Sequence, residues 1–208
     1  MTNERLVIAT RNKGKMREFK RLFGCLPFDL LTLDDVGIDD DVEETGETFE
    51  DNAILKARGY ALISGELTLA DDSGLEVDAL GGAPGVLSAR YTGPDGTDKD
   101  NNRTLIRNLD ATGSSSWTAR YRVVLALCDP AGVNEATMSD LDLVEGECEG
   151  EIIRDPKGQN GFGYDPYFYV ARFGRTMAEL SAEEKDSVSH RGIAARKMTR
   201  VLEERLPH

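Results

Sequence analysis

Short apolar runs alternate with amphipathic stretches along the chain. Leu6-Val7-Ile8-Ala9-Thr10 is too short for a helix and is bounded by polar residues, which predicts a buried strand. Asn12 is a good helix N-cap, and Met16, Phe19, Leu22 and Phe23 then recur at helical spacing until Gly24 stops the pattern. Phe28 to Leu33 reads as a second strand. A helix after Thr48, which forms a capping box with Asp51, carries Ala53, Ala57, Tyr60 and Ala61 on one side. Leu67 to Ala70 reads as a short strand that runs straight into Asp71-Asp72-Ser73-Gly74, and a glycine-rich loop follows at Gly81-Gly82-Ala83-Pro84-Gly85.

The second half has a different rhythm. A helix is expected around Asn101 to Leu109, and Tyr121 to Leu127 is a strong strand. Val133 to Met138 and Leu141 to Ile153 read as further strands, joined in hairpins across Asp129-Pro130-Ala131-Gly132 and Ser139-Asp140. Gly158 to Gly163 is a loop, Tyr167 to Val170 a last strand, and Ser181 with Glu184 a further capping box. Ile193, Lys197, Met198, Val201 and Leu202 mark a C-terminal helix. Strand and helix alternate first and hairpins follow. This order predicts an α/β fold with a long mixed sheet flanked by helices, as two lobes with a substrate cleft between them.

Composition narrows the function. The 208 residues make one to two domains by length and exceed what a core needs to close without disulfides or structural metal. A formal charge of −13 argues against binding nucleic acid, but not against a phosphate-bearing small substrate held by local cations and a metal ion. Three scattered cysteines, Cys25, Cys128 and Cys148, fit free thiols in a reducing compartment. The longest apolar run, Val123 to Cys128, is far too short to span a bilayer, so no membrane partner is expected and a cytoplasmic location is.

Five clusters carry candidate chemistry. Thr10-Arg11-Asn12-Lys13-Gly14-Lys15 lies where a strand hands over to a helix. Such a turn presents backbone N–H groups to an anion, although an ordinary capped helix uses the same residues. Residues 34–51 hold ten carboxylates and no cation; Glu43-Glu44-Thr45-Gly46 lies within this run, with Asn52 and Lys56 on the next helix. Asp71-Asp72-Ser73-Gly74 offers hard oxygen ligands for Mg²⁺ or a base for water; an Asx turn closing a strand reads the same way. Gly161-Phe162-Gly163-Tyr164-Asp165-Pro166 frees an aromatic ring to lie against a planar group. Lys185 with Ser189-His190-Arg191-Gly192 supplies hydrogen-bond donors at a helix start; the other histidine is His208, the last residue.

In this order, over nearly the whole chain, these motifs resemble the non-canonical purine nucleoside triphosphate pyrophosphatases, also called inosine/xanthosine triphosphate pyrophosphatases. The resemblance includes Gly81-Gly82-Ala83-Pro84-Gly85 and Ser88-Ala89-Arg90-Tyr91. Leu87 departs from it, standing where bacterial members often carry an aromatic. The resemblance implies hydrolysis of ITP, dITP and XTP to the monophosphate and pyrophosphate, in a homodimer that uses Mg²⁺. It implies Asp72 as general base and, with Glu43, as metal ligand. Thr10, Arg11, Asn12, Lys13, Gly14 and Lys15 would cradle phosphates, with Lys56 nearby and Ser73 touching substrate. Phe162, Gly163, Tyr164 and Asp165 would form the base pocket, with Lys185, His190 and Arg191 completing it. Donors aimed at a 6-keto oxygen would meet the amino group of ATP and go unpaired, at roughly 1–3 kcal/mol each. The same residues would also suit a pyrophosphatase for other modified or pyrimidine nucleotides, or a binding module without turnover.

Overall fold

The computed structural model describes residues 4–133 and 141–206. Its strands are β1 (Glu4–Ala9), β2 (Phe28–Leu31), β3 (Leu67–Val77), β4 (Thr118–Cys128), β5 (Leu141–Ile152), β6 (Phe168–Val170) and β7 (Arg175–Thr176). They form a seven-stranded sheet in the order β2-β1-β3-β4-β5-β6-β7. β1 runs parallel to β2 and β3, whereas β5–β6 and β6–β7 are antiparallel, so the sheet is mixed as expected. The α-helices are α1 (Lys13–Leu22), α2 (Phe49–Ser64), α3 (Asp98–Thr112), α4 (Ala182–Val188) and α5 (His190–Arg205). None of the described helices is long and apolar enough to cross a membrane.

The chain divides into two compact units. The first takes residues up to Asp72, Val123–Glu145 and Ile193 onward; the second takes Ser73–Arg122 and Gly146–Gly192. Each has its own core. In the first, Leu6 and Ile8 of β1, Phe19 of α1 and Phe23 at its C-cap, Leu125 of β4, and Met198 and Leu202 of α5 are buried together. The rings of Phe19 and Phe23 stack with centroids 5.8 Å apart. In the second, Leu75, Leu105, Leu109, Tyr121, Phe168 and Met177 play that part. Burial of each such side chain contributes roughly 1.5–3 kcal/mol, which is why the apolar periodicity sets these elements.

The caps expected at Asn12 and Ser181 are present, and at Thr48 half of the expected box forms. Asn12 Oδ1 accepts from the N–H groups of Gly14 and Lys15, and Thr48 and Ser181 each cap through the N3 amide. α3 starts earlier than its apolar spacing suggests because Thr97 and Asp100 form a full capping box. β2 stops at Leu31, since Thr32 instead bonds Asp35 at the start of a one-turn 3-10 helix. β7 follows β6 and is too short to show any alternation. The expected turn at 129–132 is a 3-10 turn capped by Asp129. The strand expected at 133–138 lies, beyond Val133, outside the described residues, as do Ser139, Asp140 and His208.

The largest difference is in β3. The expected strand Leu67–Ala70 continues to Val77, so Asp71-Asp72-Ser73-Gly74 is strand and not a turn. Asp71 and Asp72 are therefore adjacent residues of a pleat and point to opposite faces. Polar identity suggested a loop; burial against charged partners overrides that preference.

Candidate active site

In the first unit, β3 and two helices assemble a buried charged cluster. Asp71 meets Lys15 of α1, with Nζ to Oδ2 at 2.9 Å. On the other face, Asp72 meets α2: Asn52 Nδ2 donates to Oδ2 at 3.2 Å and Lys56 Nζ to Oδ1 at 3.2 Å. Lys56 also reaches Glu44 Oε2 at 3.0 Å. Asn52 and Lys56 are one helical turn apart, so α2 delivers both to the same carboxylate. Asn52 Oδ1 in turn accepts from the Gly46 N–H at 2.8 Å, tying the acidic loop to α2.

Asp72 is only 6% exposed, and this burial raises its pKa above the ordinary carboxylate value; Glu44 and Asp71 push the same way, against Lys56 and Lys15. Burial lowers the pKa of Lys56, but Asp72, Asp71 and Glu44 together outweigh it, so the ammonium stays charged. The cluster thus holds more negative charge than its two lysines balance at Asp72.

Among the described residues no set of three or more His, Cys, Asp or Glu is arranged to hold a metal alone. The donor chemistry nevertheless fits a divalent ion. Asp72 and Glu44 offer hard oxygens that converge on one cation, and Mg²⁺ commonly takes one or two carboxylates with substrate phosphates and waters as its remaining ligands. The carboxylate that reaches Lys56 is Glu44.

The strand-to-helix turn is partly committed to itself. Thr10 Oγ1 accepts from the Asn12 N–H at 3.2 Å, and Asn12 uses two of the first amides of α1. Gly14 is buried and Lys13 is exposed. Arg11 turns to the acidic run: its guanidinium donates to Asp41 and to the carbonyls of Ile38, Asp39 and Asp40. Lys15 and Lys56 are therefore the cations of this turn and helix that the structure brings to Asp71 and Asp72; Arg11 and Lys13 are not among them.

The second unit builds a different constellation. Lys185 of α4 donates to Asp165 Oδ2 at 2.5 Å, Tyr121 OH to Asp165 Oδ1 at 3.3 Å, and the Phe162 N–H to Oδ2 at 3.0 Å. Asp165 thereby fixes the loop that presents Phe162. Gly161 lies at φ +77°, and a Cβ there would collide with the Asp165 carboxylate, so glycine is required. Gly163, at φ +62°, is clamped to α3, its N–H on Asp98 at 2.7 Å and its carbonyl on Asn102 at 2.9 Å. Tyr164 is buried, with its hydroxyl on the Ser88 carbonyl at 2.8 Å.

Two cations flank the half-buried Phe162 ring: Lys185 Nζ is 5.1 Å and the Arg191 guanidinium 5.8 Å from its centroid. Arg191 also donates to Ser73 Oγ at 2.9 Å. His190 stacks on Tyr121, with centroids 4.7 Å apart and planes 13° apart. Burial and the neighbouring Asp165 raise the Tyr121 pKa well above its usual value, so its hydroxyl keeps its proton and remains a donor. Phe162, Asp165, Lys185, His190, Arg191 and Ser73 thus fall in one unit, whereas Gly163 and Tyr164 face α3 and Ser88 as supports. Sequence reasoning missed Tyr121, and it placed Asn52 and Glu44 in a candidate cluster without giving either a role. The first sits in a plain strand pattern; the contacts of the other two follow only once α2 is placed beside β3.

Comparison with known proteins finds relatives over nearly the whole chain. The family model described as the Ham1 family matches residues 6–201. A dITP/XTP pyrophosphatase of Bacillus licheniformis is 44% identical over 199 residues, covering 96% of this chain and 98% of that protein. One from Geobacter sulfurreducens is 50% identical, covering 91% and 92%. The solved HAM1 protein of Coxiella burnetii superposes with a TM-score of 0.86 at 41% identity, covering 97% of this chain and 99% of that one.

Proposed function

The chain belongs to the Ham1 family, and from that premise we propose how its residues act. It is a nucleoside triphosphate pyrophosphatase that hydrolyses aberrant purine nucleotides, ITP, dITP and XTP, to the monophosphate and pyrophosphate. Water attacks the α-phosphorus, the bond from that phosphorus to the oxygen bridging to the β-phosphorus breaks, and pyrophosphate leaves. The observation that carries this reading is Asp72: a buried carboxylate with raised proton affinity, held by Asn52 and Lys56, is built to take the proton of the attacking water.

Lys15 and Lys56 offset phosphate charge as the substrate enters a cluster otherwise rich in carboxylates. Asp72 and Glu44 would hold Mg²⁺, with Glu43 the alternative one residue earlier. When bound, the ion neutralises charge on the phosphates and lowers the pKa of a coordinated water. In the second unit, Phe162 stacks on the purine, Asp165 and Lys185 fix that ring, and His190 and Arg191 donate to the 6-keto oxygen. Both units serve one catalytic domain, residues 1–208, working in the cytoplasm where its substrates arise. A homodimer follows from the resemblance; Leu62 and Ile63 on α2, 61% and 58% exposed, supply apolar surface for it.

The test is a substrate panel with product identification. Purified protein with Mg²⁺ and ITP should yield inosine monophosphate and pyrophosphate, with ATP at least ~100-fold poorer in kcat/KM. Release of single orthophosphate would overturn the reaction type. In the same assay E44Q should raise the Mg²⁺ concentration needed for half-activity, and E43Q should not.

A further inference from the structure

A second concave site lies in the second unit, lined by none of the residues given a catalytic or binding role above. A cavity of about 430 Å³ is lined by Lys99, Arg103, Ile106, Arg107, Asp110, Arg154 and Tyr167. Lys99, Arg103 and Arg107 follow one another at four-residue spacing on α3 and so share a face. Arg154 joins them from the segment after β5. Four cations around one hollow stand out in a chain whose net charge is −13.

Among the described residues two of the four cations have a carboxylate partner, and two do not. Among the described residues neither Lys99 nor Arg107 has an ion-pair partner, and Arg103 has only Asp100 at 4.0 Å. The one lining carboxylate, Asp110, is already engaged by Arg154 at 2.6 Å. Guanidinium groups match phosphate oxygens in a planar, two-pronged fashion. Ile106 and Tyr167 add an apolar wall of the kind that accepts a base or ribose. The volume is in the range of small-ligand pockets, and the acidic remainder of the chain repels long polyanions such as duplex nucleic acid.

We propose that this hollow is a second anion site that binds a di- or triphosphate group, free or carried on a nucleotide. The chain contains its own reporter. Trp117 is the only tryptophan, and the Arg154 guanidinium lies 5.1 Å over its ring. A phosphate that draws on Arg154 changes the surroundings of that ring.

The experiment is calorimetric titration of the full chain with inorganic tripolyphosphate, and separately with ATP, in chelator at ~0.1 M salt, with Trp117 fluorescence followed in parallel. The comparison protein is the double variant R103E and R107E, both exposed positions outside the proposed catalytic machinery. The variant should lose one binding site per chain, or show at least a ~tenfold weaker one, and lose the Trp117 response. Its hydrolysis of ITP with Mg²⁺ should match the parent, which separates this site from the catalytic one. ATP binding more tightly than tripolyphosphate would mean that Ile106 and Tyr167 read the nucleoside; equal binding would mean that phosphate alone is recognised. Unchanged stoichiometry and affinity in the variant would overturn the proposal.

Discussion

Each unit buries a lysine against an aspartate, and the two pairs are built for different purposes. Lys185 and Asp165 form a closed arrangement: both carboxylate oxygens are occupied, by Lys185, Tyr121 and the Phe162 N–H. Lys56 and Asp72 form an open one, in which the lysine is shared with Glu44 and burial raises the proton affinity of the aspartate. A closed pair fixes shape. An open pair has unmet electrostatic demand, which phosphate, proton or cation can answer. Identical residue types therefore divide into scaffold and reagent according to how completely their neighbours satisfy them.

The largest expected effect breaks the open pair. D72N should lower turnover of ITP by ~10³-fold, at the scale of losing a general base. Its melting temperature should be no lower than the parent's, because a neutral amide is easier to bury and Lys56 keeps Glu44. A large loss of stability would show that Asp72 is scaffold after all. The converse holds for D165N. Leaving Lys185 buried without its anion should cost ~3 kcal/mol or more, which at ~2–4 °C per kcal/mol for a chain of this length lowers Tm by ~10 °C. Calorimetry of the two variants side by side checks both.

F162A should act more mildly, raising KM for ITP by ~10-fold with little change in kcat, since base stacking on an aromatic is worth ~1–3 kcal/mol. The smallest effect concerns pH. The native pKa of Asp72 is raised, so its contribution to stability is fully present below the unfolded value of ~3.9 and is lost as pH rises through the native value. In chelator, the stability advantage of D72N over the parent should therefore grow as pH rises through that window and vanish below it. A difference that runs the other way would mean that Lys56 outweighs burial at this carboxylate.

Much of this was legible in the chain. The apolar runs and caps gave the elements, and the motif order pointed to the family before any geometry was known. The sheet edges were harder: β7 is two residues long and β2 ends where Thr32 prefers Asp35. The misread stretch is the most informative. Asp71-Asp72-Ser73-Gly74 has the composition of a turn, and only the lysines delivered by α1 and α2 make it tolerable as buried strand. Long-range charge compensation has no period in sequence. For the same reason Arg11 read as a phosphate ligand, although its donors go to the acidic run 27 to 30 residues away.

The path of β3 has one more consequence. Asp72 closes the first unit and Ser73, which holds Arg191, opens the second, with a single peptide bond between them. Strand geometry repeats every two residues, so one inserted residue at that bond would turn Ser73, Leu75 and Val77 to the opposite face. The aspartate would survive unchanged while the serine lost its arginine and the core lost two of its members. Drift in length is tolerable in the loops of such a protein, but here the backbone works as a ruler, and a ruler admits no extra division.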